Sequence, residues 1–197
     1  MPDRLRRIPD GETGNRTYFI QFQRFFFEPA PEMIPEFKMN FPPVMRDFTP
    51  KQIKAGIEKI KASPQKTMYD DYAIPSYQEF KKLRDQGVLP KGTKFQVSMP
   101  THINAIIGFV QRDFQSAIEP IYQEALWRAM RNIQDTIPHE DLSFQIASEY
   151  VFLENIPMFR PWFYNDDKDF DYIVKQISLI DQDVEVGLHD CYGKSSL

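Results

Sequence analysis

The chain has 197 residues, of which 42% are hydrophobic and 26% charged, a balance that supports one packed core and excludes wholesale disorder. Its 24 basic and 28 acidic residues give a net charge of −4, which argues against nucleic acid as a partner because phosphate binding needs a basic face. The single cysteine, Cys191, excludes an internal disulfide, and the apolar runs are too short to span a membrane.

The N-terminal residues lack an apolar stretch after Arg4–Arg7, so no signal peptide is expected and a cytoplasmic setting follows. The first strand is predicted near residues 4–9, breaking at Pro9-Asp-Gly-Glu-Thr-Gly14. Tyr18 to Phe27 is dense in aromatics, which either floor an apolar pocket or pack as a lid over it. Pro29 to Pro50 holds six prolines in 22 residues and reads as an extended surface loop. Thr49-Pro50 then caps a helix to about Ala62, with Ile53, Ile57 and Ile60 on one face. Ser76-Tyr-Gln-Glu79 fits a capping box opening a further helix, which Gly87 stops.

Lys94–Met99 is the second predicted strand. A helical segment over 101–110 turns Ile103, Ile106 and Ile107 inward, and a long helix over 118–137 ends at Pro138. The third strand is expected at 141–147. Asp166, Asp167 and Asp169 then precede a helix over 170–180, where they complement its dipole. The fourth strand, near 184–188, opens onto His189-Asp-Cys-Tyr-Gly193. Helices alternating with strands predict a parallel sheet, which an α/β barrel and an open doubly wound sheet satisfy equally. A complete barrel typically needs about 250 residues, and four strands are visible here.

Four segments carry a resemblance. Arg6-Arg-Ile-Pro-Asp-Gly-Glu-Thr-Gly-Asn-Arg16, Phe95-Gln-Val-Ser-Met-Pro-Thr101, Ile137-Pro-His-Glu-Asp-Leu142 with Gln145, and Val184-Glu-Val-Gly-Leu-His-Asp-Cys-Tyr-Gly193 look like parts of the cobalamin-independent methionine synthase-like proteins. That family shares a barrel superfamily with uroporphyrinogen decarboxylase. The resemblance implies a single domain over 1–197: a partial (β/α)8 TIM-barrel-like fold with outer helices and a Pro-rich insertion at 29–50. It aligns the chain with strands two to five of eight, with a small deletion after Gln145. It also implies zinc, which in the family activates a thiol for methyl transfer.

His189 and Cys191 are the sharpest pair. Imidazole and thiolate suit zinc, and residues i and i+2 at the end of a strand face the same way. On spacing alone, a packed histidine beside a buried thiol remains the alternative; the resemblance makes the pair the first two metal ligands. The third and fourth, a glutamate and a second cysteine, belong to strands beyond this chain. Asp10 and Glu12, flanking Gly11, either hold a substrate amine or cap a turn. Ser98, Thr101 and His102 stand at a strand exit where a pocket would be lined, with His102 alternatively capping the helix. Glu149 stands near the deletion, where the family carries an aspartate. His139 falls at the opposite end, where barrels keep stabilising residues. Phosphate-binding glycine loops and nucleophile elbows are absent. The expected partner is a small-molecule substrate. The rival reading is a catalytically silent or accessory chain that self-associates through open sheet edges.

Overall fold

The computed structural model describes residues 6–9, 21–36, 44–148, 161–163 and 171–190. Four strands, β1 (Arg7–Pro9), β2 (Lys94–Pro100), β3 (Leu142–Ala147) and β4 (Glu185–His189), form one sheet in the order β1-β2-β3-β4. Every neighbouring pair is parallel, with Phe95 opposite Leu142 and Phe144 opposite Val186. The chain is therefore an α/β protein with the expected parallel sheet. Each strand lies beside its predecessor, so right-handed crossovers carry the connecting helices over one face.

The pleat separates two surfaces. Phe95, Val97 and Met99 of β2 share a face with Leu142, Phe144 and Ile146 of β3, and all six are buried in the main core. The opposite face carries Gln96, Ser98, Ser143 and Gln145, joined by Arg7 and Glu185 from the outer strands. The Arg7 guanidinium meets the Glu185 carboxylate. In a flat sheet three strand spacings, about 14 Å, would separate β1 from β4; this ion pair marks the polar face as the concave one.

Helix α1 (Arg24–Phe27) is a single turn that seats Phe26 and Phe27 against Tyr122. Helix α2 (Pro50–Lys61) starts where Thr49 and Gln52 cap each other reciprocally, as the Thr-Pro signal predicts. Helix α3 (Tyr69–Asp85) begins seven residues ahead of the predicted capping box, which places Ser76 and Glu79 inside the helix. Pro75 removes one hydrogen bond from it, yet Tyr69, Ala73, Tyr77 and Phe80 bury one continuous stripe, with Tyr77 and Phe80 packed on Phe95. Burial of four apolar side chains at about 1.5–3 kcal/mol for each large one outweighs the roughly 3 kcal/mol of an interior proline.

Helix α4 (His102–Phe109) is short and almost wholly buried. Helix α5 (Arg112–Thr136) starts six residues earlier than predicted and carries Pro120 for the same reason: Phe114, Ile118 and Tyr122 continue its buried stripe. Gly56 of α2 faces it so closely that an added Cβ would lie 2.7 Å from Phe114 Cε1. Helix α6 (Asp171–Ile177) packs Tyr172 and Ile173 on Ile103 and Ile107 of α4. The described part of the Pro-rich stretch is anchored rather than loose. A 3₁₀ turn at Pro31–Met33 buries Met33, and Glu36 bridges to Val44. Gln111 donates its backbone N–H to Met33 O, accepts from Arg46 N and donates its amide to Val44 O. No helix among the described residues is long and apolar enough to cross a membrane.

Candidate functional site at the C-terminal ends of the strands

Parallel strands point all their C-terminal ends to one rim, and the sequence-predicted residues that are described gather there. Ser98 donates its hydroxyl to Gln145 Oε1 at 2.8 Å across β2 and β3, on the concave polar face. Gly187 continues that row on β4 and leaves space in front of Gln145, since a Cβ built there meets only Phe144 O at 4.0 Å. His189 ends β4 two residues further along, on the same face. Its ring is exposed and has no hydrogen-bond partner among the described residues, so no protein group there competes for its nitrogens.

Thr101 is fully buried, and its hydroxyl caps α4 by accepting from Asn104 N at 3.3 Å. His102, the next residue, is also fully buried. Its Nε2 lies 3.4 Å from Glu119 Oε1 and 3.0 Å from Gln123 Nε2, while Trp127 and Tyr172 present ring edges at centroid distances of 6.1 Å. Burial pushes the His102 pKa below the usual imidazole value; Glu119 opposes this and Lys175 reinforces it. The ring is therefore neutral near pH 7. The Gln123 amide and the Glu119 carboxylate both face this one ring nitrogen.

Among the described residues His102 Nδ1 has no partner, and neither have Asn104 Oδ1, Gln176 Oε1 or Trp127 Nε1, all buried. The other ends of two of these groups are fixed. Asn104 donates to Ala147 O at 2.9 Å, and Gln176 donates to Pro100 O at 3.0 Å, both carbonyls at strand ends. Each orphaned polar atom costs about 1–3 kcal/mol, so four at one rim is an expensive arrangement for a purely structural surface. Four polar atoms so held, the Trp127 N–H a donor and the two amide oxygens acceptors, can orient a polar ligand or ordered solvent.

Asp10, Glu12, Glu149 and Cys191 lie outside the described residues, as do the turn at 10–14 and the aromatics Tyr18 and Phe19. Among the described residues no three His, Cys, Asp or Glu side chains come together as a metal site. His189 thus offers one imidazole of suitable chemistry, and Cys191 lies outside the described residues. His139 lies at the N-terminal rim, as expected, with Nδ1 2.8 Å from Asp183 Oδ1. Sequence reasoning missed Glu119, Gln123, Asn104 and Gln176. Glu119 and Gln123 share a helix face by their i, i+4 spacing, but nothing local says which residue that face meets. Comparison with known protein families, curated proteins and solved structures found no match for the chain.

Proposed function

We propose that the four strands are an arc of a (β/α)8 barrel of the methionine synthase-like kind. In this reading the chain works in a reducing, cytoplasmic setting and supports transfer of a methyl or other alkyl group to a small-molecule thiol, with zinc held by His189 and Cys191. The observation that carries it is the imidazole of His189, without a partner among the described residues, at the C-terminal end of β4 on the polar face beside the Ser98–Gln145 pair. The in-order parallel sheet and the Arg7–Glu185 pair across its concave face support the barrel arc. When bound, zinc lowers the pKa of a coordinated thiol so that the thiolate is the nucleophile. Ser98 fixes the orientation of the Gln145 amide, which presents its N–H donors to a substrate. Thr101 sets the start of α4 at the rim, and Asp10, Glu12 and Glu149 contribute carboxylates for a substrate amine.

Zinc titration against a chromophoric chelator tests the reading. One zinc per chain is expected, with affinity lowered at least tenfold by His189→Ala and by Cys191→Ser. No zinc uptake, or uptake unchanged in both variants, overturns it.

One observation favours a second reading, an accessory chain that pairs through its sheet edge. Val186 and Leu188 share the row that buries Phe144 and Ile146, yet they are 38% and 49% exposed. Sedimentation velocity at increasing concentration separates the readings. Association abolished by Leu188→Lys supports pairing at β4, whereas a monomer throughout removes it.

A further inference from the structure

A second polar concavity lies on the far side of α5. Ala125, Arg128 and Ala129 are roughly half a turn around this helix from Glu119 and Gln123, so the two features are separate. Together with the loop ahead of α3 they line a cavity of about 330 Å³. Its apolar lining includes Ala125 and Ala129 of the helix. Its walls carry Lys66, Thr67, Asp70 and Arg128.

The charges in these walls are held but not used up. Arg128 donates to Gln65 O from one guanidinium nitrogen, which fixes the side chain and leaves its other N–H donors available. Asp70 accepts from Asn132 Nδ2 at 2.8 Å through Oδ2, leaving Oδ1 open. Lys66 reaches Asp71 Oδ1 at 3.5 Å, a loose contact that leaves the ammonium free to turn. Thr67 is only 2% exposed, and its Oγ1 is buried with no partner among the described residues. Its carbonyl accepts from Gln23 at 2.9 Å, so the loop is pinned from behind. Helix α3 opens over the same loop with no side-chain cap, and Met68 turns the chain there at φ 67°.

Two cations and one carboxylate select against simple ions. A ligand carrying only negative charge meets Asp70, and one carrying only positive charge meets Lys66 and Arg128. A small zwitterion satisfies both: its carboxylate pairs with Arg128 and Lys66, its ammonium with Asp70, and the apolar lining takes an uncharged side chain. We propose that this cavity, lined by Lys66, Thr67, Asp70 and Arg128, binds a free α-amino acid. This inference is independent of the zinc reading and of the strand rim.

Isothermal titration of the full chain in metal-free buffer tests it, using free neutral L-amino acids one at a time and acetate, phosphate and methylamine as single-charge probes. Saturable binding of at least one amino acid is expected, with acetate, phosphate and methylamine at least tenfold weaker. Asp70→Asn keeps the size of the side chain and should weaken binding at least tenfold, as should Arg128→Gln. Both variants should keep the circular dichroism spectrum of the parent. Absence of saturable binding by every amino acid, equal binding of phosphate or acetate, or full binding by both Asp70→Asn and Arg128→Gln overturns the proposal.

Discussion

The two rims of the same four-stranded sheet are built on opposite terms. At the N-terminal rim Asp141 receives the Tyr77 hydroxyl at 2.6 Å and the Arg84 guanidinium through both its oxygens. Lys94 spans the carbonyls of His139 and Leu142, and His139 pairs with Asp183. At the C-terminal rim four buried polar atoms have no partner among the described residues, and His189 is exposed. One rim closes its hydrogen bonds internally and so clamps the strands. The other keeps buried polar atoms without partners among the described residues, an arrangement that native interiors ordinarily avoid.

The largest effect should come from breaking the clamp. Asp141→Ala leaves Arg84 and the Tyr77 hydroxyl without their acceptor and should lower stability by about 3 kcal/mol, the low end for a buried pair, because both partners keep some solvent contact. Urea denaturation measures this, and a loss below about 1 kcal/mol would make the N-terminal rim ordinary. The same group sets an acid limit. Arg84 holds the Asp141 carboxyl below its usual pKa, so its contribution is complete above the unfolded value and fades as pH falls through the folded one. The parent should therefore lose stability below about pH 4, and Asp141→Asn should lose less over that range. Tyr77, pushed up to about 12 by burial and by Asp141, stays a hydroxyl donor throughout.

A smaller effect, of the opposite sign, should appear at the other rim. Trp127→Phe removes an N–H that is buried without a partner and keeps an aromatic ring against His102. Stability should hold or rise by up to about 1 kcal/mol, since removing an unsatisfied donor relieves its desolvation cost. A loss beyond about 2 kcal/mol would show that this rim, too, is built for stability. The smallest effect concerns His139, whose pKa Asp183 raises. Its contribution is present below the unfolded imidazole value and is lost as pH rises through the folded one. The melting temperature should drift down slightly between pH 6 and 8, and His139→Gln should flatten that drift.

Legibility in the sequence tracked how local the cause was. The alternation of Phe95, Val97 and Met99 announced β2, and Thr49 with Pro50 announced α2, because pleat and cap are properties of a few adjacent residues. The starts of α3 and α5 were hidden by Pro75 and Pro120. A proline tolerated inside a helix is explained only by what the helix buries, and Phe95 lies eighteen residues beyond Tyr77. At the candidate site, Ser98, Thr101 and His189 were visible from their strand ends. The Glu119 and Gln123 partners of His102 were not, since a packing angle between two helices brings them together.

The three bonds of Gln111 have a kinetic meaning as well. Its donor on Arg46 and its acceptor on Val44 are 65 and 67 positions away in sequence, and its own place is fixed only once α5 exists. Closing so distant a contact is entropically slow, so the proline-rich segment should dock after the barrier to folding is crossed. A substitution such as Gln111→Ala should accordingly leave the refolding rate almost untouched and accelerate unfolding instead, making this one glutamine a latch on the lifetime of the folded chain rather than a guide to reaching it.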